Sequence, residues 1–249
     1  MKIVACVVLF LFCSMMVSGE TMRRKLSIAA SEWEPFTGND LPEKGLLCDL
    51  VTEIFKMKGY DVAITIYPWS RAFEYVKNGT CDALIGASYL NDRTEYFSYT
   101  DSLYSNEICF YTHTDNTLKI LDYSKLSGVR ISVLQDSFLV NELFSIKGVN
   151  IETSPTIESN ILKVVKKRVD YSVESVICIE YMLRSFPRED RTKIKFLYPP
   201  YKVDKVYCVI SKKARRYEDI TEDFNRALAQ IRASGYYNEI LKKHGFGVK

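Results

Sequence analysis

The chain has 249 residues, of which 47% are hydrophobic and 26% charged, and its formal net charge is +3. These proportions exclude a fibrous or low-complexity chain, and the length suits one large domain or two small lobes, each able to bury its own core. So small an excess of positive charge leaves no electrostatic footprint for nucleic acid, and the run Lys163, Lys166, Lys167, Arg168 reads as the solvated end of a helix.

In chain order, Lys2 precedes an apolar stretch, Ile3 to Val17, with no charge until Glu20, and Val17-Ser18-Gly19 supplies small residues at a cleavage point. Residues 1–19 are therefore expected to be a signal peptide, with an uncleaved anchor as the alternative. Phe12 stands before Cys13 where a lipoprotein signal needs a small residue, so lipid attachment is not expected. Next comes a short strand, Leu26 to Ala30. Leu46, Leu47, Leu50, Val51, Ile54 and Phe55 recur at helical spacing, and Gly59 closes that helix. Val62 to Tyr67 alternates as a strand that Pro68 stops, and Ser70 to Lys77 is a short helix before a strand at Ala83. Further strands are expected at Ile108–Thr112, Arg130–Leu134, Asn150–Thr153 and Tyr171–Glu174. Helices fall near Phe138–Phe144, Ile157–Lys167 and Val176–Phe186, and Tyr217–Lys243 forms two helices that meet at Ser234-Gly235. This alternation predicts an α/β fold of parallel-type sheets flanked by helices.

Cys6 and Cys13 belong to the signal segment. Cys48, Cys81, Cys109, Cys178 and Cys208 remain, an odd number, so at least one thiol stays free. All five lie in or beside apolar runs, where cysteine acts as a small hydrophobe, and spacing selects no disulfide. There is no CxxC, and His113 and His244 are the only histidines, which argues against a zinc or haem site; no cofactor is expected.

The segment DALIGASYLNDRTEYFSYTDSLY, Asp82 to Tyr104, has the make-up of an anion site. An apolar run ends in Gly86, Ala87 and Ser88, whose small side chains let backbone N–H groups approach a ligand. Ser88 adds a hydroxyl, and Arg93 offers a planar fork matched to a carboxylate. The plainer alternative is a buried strand followed by a surface loop with an exposed arginine.

WEPFTG, GLLCDLVTEIFKMKGYDV, YPWSRAFEYVKNGTCDALIGASY and DRTEYFSYTDSLY together resemble the first lobe of the bacterial extracellular solute-binding proteins. That family includes the polar-amino-acid receptors of ABC importers. LSGVRISVLQDS, ESNILKVVKKRVDYSVES and FNRALAQIRASGYYNEILKKHG resemble its later elements in the same order. The resemblance implies a two-lobed type II periplasmic binding protein fold, with a central sheet flanked by helices in each lobe and a two-segment hinge. Lobe one would hold residues 24–105 and 205–249, and lobe two residues 106–204, with Pro199-Pro200 at the return. It further implies an exported, periplasmic, monomeric receptor. Such a receptor closes over a small polar, carboxylate-bearing solute and serves a membrane permease.

The same resemblance places aromatic residues of the cleft at Trp33 and Trp69, each on a loop after a strand, with Phe36 and Tyr89 extending the wall. Each tryptophan has a core role as its alternative. Arg71 either reaches the cleft or pairs with a nearby acid. Lobe two is expected to contribute Asp136, Ser137 and Phe138 after a strand, although Ser137 equally suits a helix cap. Where the family's amino-acid receptors carry an aspartate for the ligand's ammonium group, this chain has Ser175. Glu174 precedes it and alternation aims it at the other face. The expected ligand set is Trp33, Phe36, Trp69, Ser88, Tyr89, Arg93, Asp136, Ser137, Phe138 and Ser175. The chain has no Walker loop, GxSxG elbow or HExxH, and it reads as a binding protein, not an enzyme. The alternatives are a dehydratase of the same fold using Glu32, Asp136 or Glu174 on a cyclic carboxylate, and a ligand-sensing partner of a membrane receptor.

Overall fold

A computed structural model describes residues 24–117 and 128–247, so the expected signal peptide lies outside the described residues. Strand β1 (Arg24–Ala30) runs parallel to β2 (Tyr60–Ile66), paired from Arg24 with Tyr60 to Ala30 with Ile66, and parallel to β3 (Ala83–Ser88). Helix α1 (Leu46–Met57) makes the first crossover, and the apolar stripe expected from its spacing is wholly buried. Helix α2 (Trp69–Lys77) makes the second and buries Ala72 and Val76. Alternation along β1 feeds both faces of the sheet. Leu26, Ile28 and Ala30 join the core beneath α1, whereas Ala29 joins the core with Ala72, Val76 and Leu84.

A 3-10 turn, Asn91–Glu95, then leads to the short strand β4 (Phe97–Tyr99) and the long strand β5 (Tyr104–His113). Strand β6 (Arg130–Leu134), helix α3 (Val140–Phe144), strand β7 (Asn150–Ser154), helix α4 (Ile157–Val165) and strand β8 (Tyr171–Ser175) repeat the crossover pattern. Helices α5 (Val176–Leu183) and α6 (Arg188–Arg191), strands β9 (Ile194–Phe196) and β10 (Lys202–Ser211), and helices α7 (Tyr217–Ala233) and α8 (Tyr236–Lys243) complete the described chain. Predicted and observed elements agree in kind, with ends shifted by a few residues. The periodicity did not announce α6, β9 or β10.

The strands form one sheet in the order β2-β1-β3-β10-β5-β8-β6-β7, with β4 on β10 and β9 on β5. The expected parallel pairing holds for β2-β1-β3 and for β8-β6-β7. Between those triplets the sheet is antiparallel, since β10 runs against β3 and β5, and β5 runs against β8. Strand β10 divides its pairing. Its first residues, Lys202 to Val206, pair with Ile108 to Tyr104; from Val206 onward it pairs with β3, with a register shift between Tyr207 and Cys208, and its last residues also pair with β4. Each half has its own core: Ile108, Phe110, Ile131, Val133, Tyr171 and Val173 lie together beyond the β5–β10 ladder. All five cysteines of the described residues are free and buried, and burial pushes the Cys48 thiol up to about 12 and that of Cys109 to about 11.

The C-terminal helix is fastened by a buried acid. Asp49 on α1, 6% exposed, accepts hydrogen bonds from Lys243 Nζ and pairs with His244 Nε2, both at 2.8 Å. Beyond them Phe246 packs on Phe36 and Tyr104. Removing this carboxylate strands two polar partners, one of them buried. Asp49→Ala is therefore expected to lower stability by on the order of 3 kcal/mol, measured by urea unfolding; an unchanged midpoint would show the contact to be dispensable.

Candidate functional site

The loop after β1 is a tight turn held by its backbone. Trp33 N–H donates to Thr37 O at 2.8 Å, while Phe36 and Thr37 N–H return to Trp33 O at 2.9 and 3.0 Å. Thr37 Oγ1 donates to Ser31 O at 2.6 Å. This turn leaves Trp33 partly exposed, with its ring 4.5 Å from that of Phe36. Gly86 lies against the same indole at φ +91°, a backbone conformation that a side chain would strain. On its other side Trp33 meets α5 of the second half. There the Cys178 thiol, pushed up by burial and by Glu174, is eased by Ser175 and by the indole.

Arg93 stands on the turn after β3. Its guanidinium lies 5.6 Å from the Trp69 ring and 5.4 Å from the Phe73 ring, and Nη1 donates to Ser88 O at 3.4 Å. Among the described residues it makes no ion pair. Trp69 opens α2 and Phe73 follows one turn later, so the helix aims both rings at the arginine. Tyr99 Oη also donates to Ser88 O, at 3.2 Å, and its ring carries the exposed Tyr89 ring at 5.0 Å.

The hydroxyl of Ser88 donates to Asp204 Oδ2 at 2.6 Å. Burial pushes the Asp204 carboxyl up; the Ser88 hydroxyl, Lys202 and Arg93 pull it down, and Glu142 pushes it up again. Lys202, two residues back on the same face of β10, donates to Glu142 Oε2 at 2.7 Å and lies 5.5 Å from the Phe138 ring. Tyr201 Oη donates to Glu142 Oε1 at 2.6 Å. A continuous row thus runs from Trp69 and Arg93 through Ser88, Asp204 and Lys202 to Phe138 in the second half.

Of the expected residues, the structure gathers Trp69, Ser88, Tyr89 and Arg93 in one group and sets Trp33 beside Gly86 on the neighbouring part of β3. Asp136 is exposed on the loop after β6. Ser137 Oγ accepts the N–H of Leu139 at 3.2 Å, a local turn contact rather than the expected helix cap, since α3 starts after Leu139 without a side-chain cap. Two expectations are corrected by burial. Phe36 is 0% exposed among Trp33, Tyr104 and Phe246, so it backs the tryptophan instead of extending the wall. Ser175 is likewise 0% exposed: its hydroxyl donates to Asn106 Oδ1 at 2.6 Å and receives the N–H of Cys178 as the cap of α5. Arg71 is exposed and has no ion pair among the described residues. Sequence reasoning missed Phe73, Tyr99, Lys202 and Asp204. Helical spacing from Trp69 would have given Phe73, but Lys202 and Asp204 are intelligible only once β10 is known to cross between the halves.

Residues 26–248 match the family model for bacterial extracellular solute-binding proteins, family 3. The chain belongs to that family. The histidine-binding periplasmic protein of Salmonella typhimurium is 25% identical over 207 residues, 80% of this chain and 78% of that one. An ancestral arginine-binding protein bound to arginine superposes with a TM-score of 0.75 at 18% identity, covering 91% of this chain and 100% of the other. A histidine kinase sensor domain with similarity to periplasmic binding proteins gives a TM-score of 0.76 at 18% identity, covering 89% and 96%. The fold is therefore the two-lobed α/β fold of the periplasmic binding proteins.

Glu174 lies where β8 meets α5, partly buried, with Oε1 accepting the N–H of Ser175 at 2.7 Å. Burial raises its carboxyl to about 7 against that one hydrogen bond. With a folded value above the unfolded one, the native state binds more protons between about pH 4.5 and 7, so this residue lowers stability as pH rises through that window. Glu174→Gln keeps an acceptor for Ser175 and removes the charge. It is expected to raise Tm by a few degrees at pH 8 and to leave it nearly unchanged at pH 4.5, by thermal denaturation at both values; an equal shift at both would show that the charge is not the cause.

Proposed function

We propose that this protein is an exported receptor that captures a small, carboxylate-bearing, amino-acid-like solute between its lobes. On this reading lobe one comprises residues 24–105 and 205–249 and lobe two residues 106–204, so both boundaries cut β5 and β10 inside their mutual ladder. Lobe motion is then bending of that ladder. The observation that carries the reading is Arg93: a guanidinium stacked on Trp69 and Phe73, tethered only to a backbone carbonyl, and without an ion pair among the described residues. Such a group is preorganised for a bidentate carboxylate and has no protein partner to give up.

Membership of a family of extracellular solute-binding proteins supports export, a periplasmic location and delivery to a membrane permease. Amino-acid binding by the relative from Salmonella and by the ancestral arginine-binding protein supports the ligand class. Trp69 and Tyr89 would cover the ligand from lobe one and Phe138 from lobe two, with Asp136 and Ser137 at the rim. The protein binds without turnover: incubation with prephenate, a cyclic carboxylate, is expected to leave that acid intact.

The experiment is a thermal-shift and calorimetric screen of amino acids and small carboxylates, repeated with Arg93 variants. Arg93→Ala is expected to weaken the carboxylate ligand by about 2–5 kcal/mol, about thirtyfold or more in Kd. Folding stability should fall by only about 1–2 kcal/mol, the worth of a partly buried cation–π contact. Arg93→Lys also weakens binding, because an ammonium cannot reproduce the fork. Since Trp33 and Trp69 are the only tryptophans, binding is expected to change the intrinsic fluorescence, and Trp69→Phe to diminish that change. Normal binding by Arg93→Ala together with a much lower Tm would make Arg93 a structural residue and end this reading.

A further inference from the structure

The position where the family resemblance places an ammonium-binding aspartate is occupied by Ser175, which is wholly buried and engaged with Asn106 and Cys178. Its neighbour Glu174 turns back onto the Ser175 N–H. Strand β8 therefore offers a ligand cation only Glu174, whose carboxylate is folded back on its own backbone. Another carboxylate stands beside the anion site. Asp204 and Arg93 approach Ser88 from its two ends: Oδ2 accepts from the Ser88 hydroxyl at 2.6 Å, and the guanidinium donates to the Ser88 carbonyl at 3.4 Å. They form no ion pair with each other, and among the described residues Asp204 forms none at all. Lys202, two residues back on the same face of β10, is taken by Glu142 at 2.7 Å. Asp204 Oδ1 accepts no hydrogen bond within the described protein.

We propose that Asp204, on the hinge strand β10, is the ammonium-binding residue of this site and makes it selective for zwitterionic amino acids over simple carboxylates. The inference rests on the proposed reading of Arg93 as the carboxylate anchor. An α-amino acid carries its ammonium and carboxylate groups on a single carbon, and one serine here separates a free carboxylate from a free guanidinium. Placing the acid on the connection between lobes has a consequence for closure. A ligand ammonium would tie the strand that bends to the loop that holds the carboxylate, so ligand charge and lobe position become coupled. Burial of Asp204 acts in the same direction, because an arriving cation offsets the desolvation of its charge.

The test is isothermal titration of the full mature protein with three matched pairs: L-histidine and imidazolepropionate, L-arginine and 5-guanidinopentanoate, L-glutamate and glutarate. Each pair differs only by the ammonium group. The wild-type protein is expected to bind at least one amino acid about tenfold or more tightly than its partner, the discrimination of one hydrogen bond to a charged group. Asp204→Asn should erase that preference by weakening the amino acid alone, whereas Asp204→Glu, which keeps the charge, should preserve a preference. Thermal melts of both variants establish that they are folded. If wild type and Asp204→Asn discriminate equally, or if wild type does not discriminate at all while binding both members, the assignment of Asp204 is overturned and the carboxylate-receptor reading stands. If wild type binds no member of any pair, the amino-acid reading and this inference fall together.

Discussion

Five residues of β10, Lys202 to Val206, paired with five of β5, Tyr104 to Ile108, hold the two halves of this molecule together as one sheet. The rest of the arrangement depends on that ladder. It joins two parallel triplets, each of which completes its own core, and it is antiparallel because the chain goes out along one strand and returns along the other. A ladder of backbone hydrogen bonds resists stretching but tolerates twist, so it fixes which residues face each other while permitting the halves to rotate. Strand β10 serves both sides. Its first residues belong to the crossing, and from Val206 onward it lies beside β3, so Val206 pairs on both sides.

The apolar interior braces the candidate site on one side. Trp33 is supported from beneath by Phe36, which is supported in turn by Tyr104 and Phe246. Phe246 follows α8, and α8 is held to α1 through Asp49. The aromatic wall is thus braced by a stack that reaches the end of the described chain. Arg93 is braced differently. It rests on Trp69 and Phe73, which stand one turn apart on α2, so a regular helix sets the position of a residue on an irregular turn.

Much of this was legible in the sequence, for identifiable reasons. Apolar periodicity gave α1, β2, α4 and α7 because their buried faces are long and regular. The small residues Gly86 and Ser88 followed by Arg93 pointed to a candidate anion site, a pattern that on its own also suits a buried strand followed by an exposed arginine. What failed to show depends on contacts remote in sequence. Phe36 and Trp33 stand in one turn, yet only the packing of Phe246 decides which is buried. Ser175 looks like a strand-end ligand until α5 begins at the next residue and turns its hydroxyl into a cap. The stretch Lys202–Asp204 reads as an ordinary polar run, KVD. It gains meaning only from the pairing that sets Asp204 opposite Asn106 and brings its carboxylate to Ser88.

The separation of Arg93 from Asp204 is itself informative. Two opposite charges in direct contact at a partly buried site attract by several kcal/mol, and a ligand entering between them must first break that pair. Here the protein does not let the pair form. The guanidinium is drawn back onto Trp69 and Phe73 and fastened to the Ser88 carbonyl, while the carboxylate is held by the Ser88 hydroxyl. Each charge is oriented by a neutral group, so each keeps unspent capacity for an incoming partner of opposite sign. Lys202 would collapse this arrangement if it turned to Asp204, and Glu142 occupies it instead. A carboxylate on α3 in the second half thus holds Lys202 of β10, and on the proposed reading this leaves Asp204 open to a ligand.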